Sequence, residues 1–188
     1  MIQLKKWLLI GITLEAAIFL IAYLSFSDLG EVFCHAARYS GRLSLIVYLI
    51  AIWHYMASKS QSDAQLTGTR SITMLFFVLH YIHLFLLGMN VNLNAVTLIP
   101  FKLAGGALAY LMILLYPLFF ERIKHKKAIH AIYFLYVGFV MAMTYIARMN
   151  GNFEGAAPER FHKVGLAVVL ASMAFFIYRL MRPNRVAI

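Results

Sequence analysis

Four histidines, His54, His80, His83 and His130, lie within or at the edge of long apolar stretches of this chain. An ionisable side chain in such surroundings is costly and is held there by a partner or a cofactor. Imidazole is also a common axial ligand of haem iron, so a membrane bundle carrying several of them is first of all a haem candidate. The stretches that must position them are 7–26, 43–57, 72–89, 101–120, 128–148 and 161–180. Each approaches the ~20 helical residues that cross a bilayer, the second being the shortest.

Two ligands of one iron must meet at the same membrane depth. At about 1.5 Å per residue, His80 falls roughly 13 Å and His83 roughly 18 Å from the inner face, His130 about 3 Å, His54 about 6 Å and Met143 about 22 Å. Two level pairings follow: His54 with His130 near the cytoplasm, and His80 or His83 with Met143 nearer the outer half. His/Met ligation is an established way of holding haem. His80 and His83 sit one turn apart on neighbouring faces, so one of them would serve. The plainer alternative is that these histidines hydrogen-bond and pack. Glu15, about 12 Å deep in the first stretch by the same rise, is the other costly residue, open to a neutral form, a pair, or a proton or quinone role.

Hydrophobic residues make up 63% of the 188, and mean hydropathy is +0.79, well beyond a soluble domain. The expected fold is therefore an all-α integral membrane protein, a six-transmembrane-helix bundle forming one domain over residues 1–188. The first stretch follows Lys5 and Lys6 like a signal peptide, but runs on without a small-residue cleavage site and reads as a retained helix. Of the 17 Lys and Arg residues, Lys5, Lys6, Lys59, Arg70, Arg122, Lys124, Lys126, Lys127, Arg179, Arg182 and Arg185 share one face. Arg38, Arg42, Lys102, Arg148, Arg160 and Lys163 take the other. The positive-inside rule then puts both termini in the cytoplasm. This asymmetry, with the attraction of anionic headgroups, accounts for the net charge of +10 without nucleic acid.

Six spans leave no soluble domain for a flavin or nucleotide, and no GxGxxG or P-loop pattern is present. A lone cysteine, Cys34, excludes an internal disulfide and a multi-cysteine metal site, and reads as a small buried or interfacial residue rather than a reactive thiol. Gly30, Gly41, Gly68, Gly88 and Gly151 are expected in or beside connections, and Asn90, Asn92 and Asn94 in the third-to-fourth connection. Gly105, Gly106, Ala107 and Ala109 give the fourth helix a small face for close packing. Pro117 should kink or end that helix. The basic turn 121–127 anchors topology or docks an acidic donor, and the polar connection 150–160 faces outward. His35, His125 and His162 are expected in solvated positions.

The order of landmarks resembles the ferric-reductase-like transmembrane family over about residues 40–150. Ser40-Gly41-Arg42-Leu43 is similar to its TGxWAL-like opening of the second helix. Arg70, then Phe76-Phe77, then His83 thirteen residues after Arg70, resembles its basic residue, aromatic run and histidine. Lys127-Ala128-Ile129-His130-Ala131-Ile132-Tyr133 resembles its W-x-x-LH-x-x-x-Y motif. The pattern is closest to the haem-binding membrane subunits of periplasmic methionine sulfoxide reductase systems. The resemblance implies b-type haem, one or two, with His83 and His130 as axial ligands, and transmembrane electron transfer. Where the family has a second fifth-helix histidine this chain has Met143; the arginine pair is reduced to Arg70, and the tryptophan is missing. These departures leave room for a relative that kept the fold and lost the cofactor.

Two functions follow. The leading one is a haem-b electron-transfer subunit of a bacterial inner-membrane oxidoreductase system, not a complete enzyme. A separate reductase, a partner's flavin or a quinol would supply electrons, and a protein at the outer face would accept them. The alternative is a haem-free accessory or scaffold subunit of a larger membrane complex. A small transporter is the weakest fit, for want of an inverted repeat or several intramembrane acids.

Overall fold

The computed structural model describes residues 2–57, 62–96, 100–151 and 159–181. Within them the chain is helical: α1 (Ile2–Ser25), α2 (Leu29–Ala57), α3 (Asp63–Leu93), α4 (Pro100–Leu118), the single turn α5 (Phe120–Ile123), α6 (Lys127–Met149) and α7 (Arg160–Met181). Four helices are long and apolar enough to cross a membrane: Leu4–Ser25, Asp63–Leu93, Lys127–Met149 and Arg160–Met181. The described apolar part of α4, Ala104–Leu118, is shorter. Lys59, Arg182, Arg185 and most of the outer connection 150–160 lie outside the described residues.

Local chemistry sets the helix ends. The Asp28 carboxylate accepts the Glu31 N–H at 2.9 Å and caps α2. At the far end of α3, Asn94 Nδ2 donates to the carbonyls of Asn90 and Gly30, both at 3.1 Å, tying α3 to the start of α2. Pro117 lies one residue before α4 ends, as its missing N–H and fixed φ require. Asn90 and Asn92 belong to the last turns of α3, with Asn94 beyond them, so the helix reaches further than expected.

The helices close into a ring in the order α2, α3, α4, α6, α7 and back to α2, while α1 packs outside against α2 and α3. Aromatic rings fill the ring's centre: Tyr48, Phe76, Phe120, Tyr133, Phe134 and Phe176 are all fully buried. Tyr116 and Tyr133 stack with centroids 3.6 Å apart. The outward faces expose Trp7, Leu20, Leu24, Phe85, Leu111, Ile132, Phe139 and Leu170, an apolar surface suited to a bilayer.

The second helix is the main departure in length. It runs from Leu29, well before residue 43, and carries Gly41 within it; Gly68 and Gly88 likewise lie inside α3. Glycine costs a helix interior ~1 kcal/mol relative to alanine, and at two of these positions an imidazole occupies the vacated space. A Cβ on Gly41 would lie 3.0 Å from His83 Cε1, and one on Gly68 would lie 2.7 Å from His54 Cε1.

Candidate functional site

The buried histidines are set by the helices they join. His130 lies in the first turn of α6 and is completely buried. Its Nε2 lies 3.0 Å from the Lys124 carbonyl and its Nδ1 2.6 Å from the Tyr116 hydroxyl. A carbonyl can only accept, so Nε2 carries the proton and Nδ1 accepts from Tyr116. Lys124 follows α5 directly, so its carbonyl is one that the short helix leaves free. His130 therefore ties α4, the basic turn and α6 together, using both ring nitrogens.

Tyr55, the neighbour of His54 in the chain, packs on the His130 ring at 5.0 Å. The rotation of about 100° per residue turns His54 elsewhere, onto α3. There its Nδ1 is 3.1 Å from the Thr69 hydroxyl, and Gln65 Nε2 donates to the His54 carbonyl at 2.8 Å.

Further out, His80 Nδ1 lies 2.7 Å from the Ser44 hydroxyl, and its ring stacks on Tyr110 at 4.8 Å. His83, 5.5 Å from His80 between ring centroids, presses its Nδ1–Cε1–Nε2 edge against Gly41. Its Nδ1 is buried without a hydrogen-bond partner. Met143 is 47% exposed and shares an outward face of α6 with Ile132 and Phe139. It points away from the face of His130, Phe134 and Val137 that fills the ring.

Neither expected pair is thus assembled around a common space. His130 has no free lone pair, His54 is rotated onto α3, and Met143 faces outward while His83 faces Gly41. The space between α2, α3 and α6 is taken by Tyr48, with Phe76 at 5.6 Å and Phe134 at 6.4 Å. A haem held between two axial ligands from these pairs does not fit this arrangement. Among the described residues, no group of three or more His, Cys, Asp or Glu is placed to hold a metal ion.

Two polar clusters form around Glu159 and Glu15, whose partners the sequence does not indicate. Glu159, just before α7, pairs with Arg38 and Arg42 of α2, and Arg42 also lies over the Tyr39 and Phe161 rings at 4.7 and 4.5 Å. His162 is buried, not solvated, because its Nδ1 accepts the Glu159 N–H at 3.0 Å and holds that carboxylate's backbone in place. His35 is half-buried and stacks on Phe26 at 4.1 Å; His125 is exposed in the basic turn, as expected. That turn is tied to α3 by Arg70–Glu121 at 3.0 Å and Lys124–Asp63 at 3.3 Å. The second cluster is Glu15 with Ser40, whose hydroxyl donates to Oε1 at 2.9 Å. The sequence shows these carboxylates only as lone charged residues in or beside apolar runs; Ser40 is 25 residues from Glu15, and Arg42 is 117 residues from Glu159. Comparison with protein-family models, curated proteins and solved structures returns no match.

Proposed function

We propose that this chain is a haem-free accessory subunit of a larger membrane complex, with six spans and both termini on the cytoplasmic side of a bacterial inner membrane. The observation that carries this reading is His130, whose two ring nitrogens are both engaged in holding the inner ends of α4, α5 and α6. The other three imidazoles serve the same purpose, plugging the α2–α3 seam against Gly41, Ser44, Gly68 and Thr69. The small face of α4 also supports it. Gly105 and Ala107 are exposed, and a Cβ on Gly106 would meet nothing within 4 Å. Ala109 is buried within the chain and the Gly105 carbonyl accepts from the Tyr136 hydroxyl, while the open edge at Gly105, Gly106 and Ala107 suits a helix of a second membrane subunit.

A haem-b electron-transfer subunit is the second reading, favoured by one atom: the partnerless Nδ1 of His83. On that reading His83 would ligate the iron after turning from Gly41, the haem would supply one-electron transfer, and a quinol or separate reductase would feed it. An absorption spectrum of the purified protein, oxidised and dithionite-reduced, separates the two. The accessory reading expects no Soret or α-band change; haem at one or more per chain would overturn it. Mild-detergent extraction followed by native electrophoresis should place the chain in a band larger than its own mass, and a monomer alone would also count against it.

A further inference from the structure

Glu15 is 3% exposed, yet it lines a groove that opens on the outer surface of the bundle between α1, α2 and α3. Ser40 occupies Oε1, while Oε2 is buried with no hydrogen-bond partner. The groove, about 340 Å³, is otherwise apolar, with Ile12, Ala16, Phe19, Phe33 and Phe85 among its walls. Phe85 is 63% exposed, so the opening lies on the apolar, bilayer-suited surface rather than at a polar end. Phe19 and Phe33 stand 5.4 Å apart at its side. An unsatisfied buried carboxyl oxygen is among the costlier arrangements a helix bundle can hold, and such a residue within a span marks a ligand or ion site by default.

We propose that this groove is a headgroup site for an isoprenoid quinone and its quinol, with Glu15 Oε2 as the hydrogen-bonding anchor. The chemistry matches in both states of the ligand. In the acid form Oε2 donates to a quinone carbonyl; in the carboxylate form it accepts from a quinol hydroxyl. The volume lies at the low end for ligand pockets, suited to a single ring whose tail leaves along the exposed face into lipid. The phenylalanine walls suit a flat ring. This site stands apart from the histidines and goes beyond the accessory-subunit reading; it would hold whether or not haem is found.

The test uses the full-length protein in phosphatidylcholine nanodiscs, with a decyl-substituted benzoquinone as probe. Binding is followed by thermal stabilisation, and the carboxyl stretch by infrared difference spectroscopy. The wild-type protein should bind the quinone and show a carboxyl band shift on its addition. Glu15→Leu, which removes donor and acceptor together, should weaken binding by about tenfold, the scale of one buried hydrogen bond. Glu15→Gln keeps an amide able to reach a quinone carbonyl and should retain binding while losing the band, a reading that stands if the leucine variant does not fold. Decylbenzene and palmitate should fail to compete. The proposal is overturned if the wild-type carboxyl band does not respond, if Glu15→Leu binds as tightly as wild type, or if palmitate displaces the quinone, which would make the groove a crevice for bilayer lipid.

Discussion

A Cβ on Gly138 would lie 2.6 Å from the Tyr48 hydroxyl, so the missing side chain at 138 is what lets Tyr48 cross the ring. There the hydroxyl donates to the Phe134 carbonyl at 2.6 Å, one turn before Gly138 on α6. On the same glycine, Met173 Sδ of α7 would be met at 2.9 Å. Gly138 therefore sets how closely α2, α6 and α7 approach.

Gly138→Ala should destabilise the protein. Overpacking of a filled interior costs about 1–3 kcal/mol, and alanine's gain of ~1 kcal/mol in helix propensity offsets only part of it. Gly106→Ala is the opposite case, since nothing lies within 4 Å of its Cβ position. It should leave the isolated chain as stable or slightly more so, and weaken association with a partner helix. Thermal unfolding midpoints in one detergent, with native electrophoresis for Gly106→Ala, compare the two directly. Equal effects on stability would contradict the packing described.

Tyr116→Phe removes the donor to His130 Nδ1 and leaves that buried nitrogen without it. The loss should be about 1 kcal/mol, the upper side of what interhelical hydrogen bonds contribute in membrane proteins. His130→Ala should cost more, since it also frees the Lys124 carbonyl and opens a cavity against Tyr55 and Phe120. Protease sensitivity at the 121–127 turn is the informative readout. It should rise in His130→Ala and far less in Tyr116→Phe, because only the first releases that turn from α6.

How much of this was legible in the sequence depends on what each argument used. Apolar runs gave the helices, because burial and bilayer contact both write themselves as long hydrophobic stretches. Position along a helix is legible too, from the rise per residue: Tyr55, beside His54, meets His130. Azimuth is not, since it depends on which neighbours each helix has, and a turn of about 100° per residue separates Tyr55, which meets His130, from His54, which does not. At Gly41 and Gly68 the sequence is ambiguous, because a glycine in a run has two meanings, a stop or a close approach. Only the facing His83 and His54 rings decide between them. The partners Tyr116 and Ser44 carry no local signal at all.

Glu159 joins two arginines of α2 to the start of α7, each side chain less than a third exposed. Glu159→Gln should lower stability by about 1–2 kcal/mol, between an exposed pair and a buried one, because Arg38 and Arg42 would then face each other uncompensated. The sign of the salt effect follows. Screening relieves like-charge repulsion, and at about 1 M salt the Debye length falls to ~3 Å. The difference in unfolding midpoint between wild type and variant should therefore shrink as salt is raised; a difference that grows would mean that the cluster is not held electrostatically.

A six-span arrangement with both termini inside, as proposed above, makes the sharpest prediction about the chain. If α1 starts inside, Asn94 at the end of α3 is outside and His125 in the basic turn is inside. Glu159 is then outside, beside Arg38 and Arg42 in the first half of α2, as the ion pairs require. The same ion-pair logic puts Asp63 and Glu121 together on the inner side through Lys124. Single cysteines introduced at these positions in a Cys34→Ala background, in intact cells, should react with an impermeant maleimide at Asn94 and not at His125. Labelling at His125 with protection at Asn94 would invert the bundle, placing the basic turn outside against the positive-inside rule. Labelling at both would mean that α4 does not cross, the one helix whose described apolar part, Ala104–Leu118, is short for a bilayer.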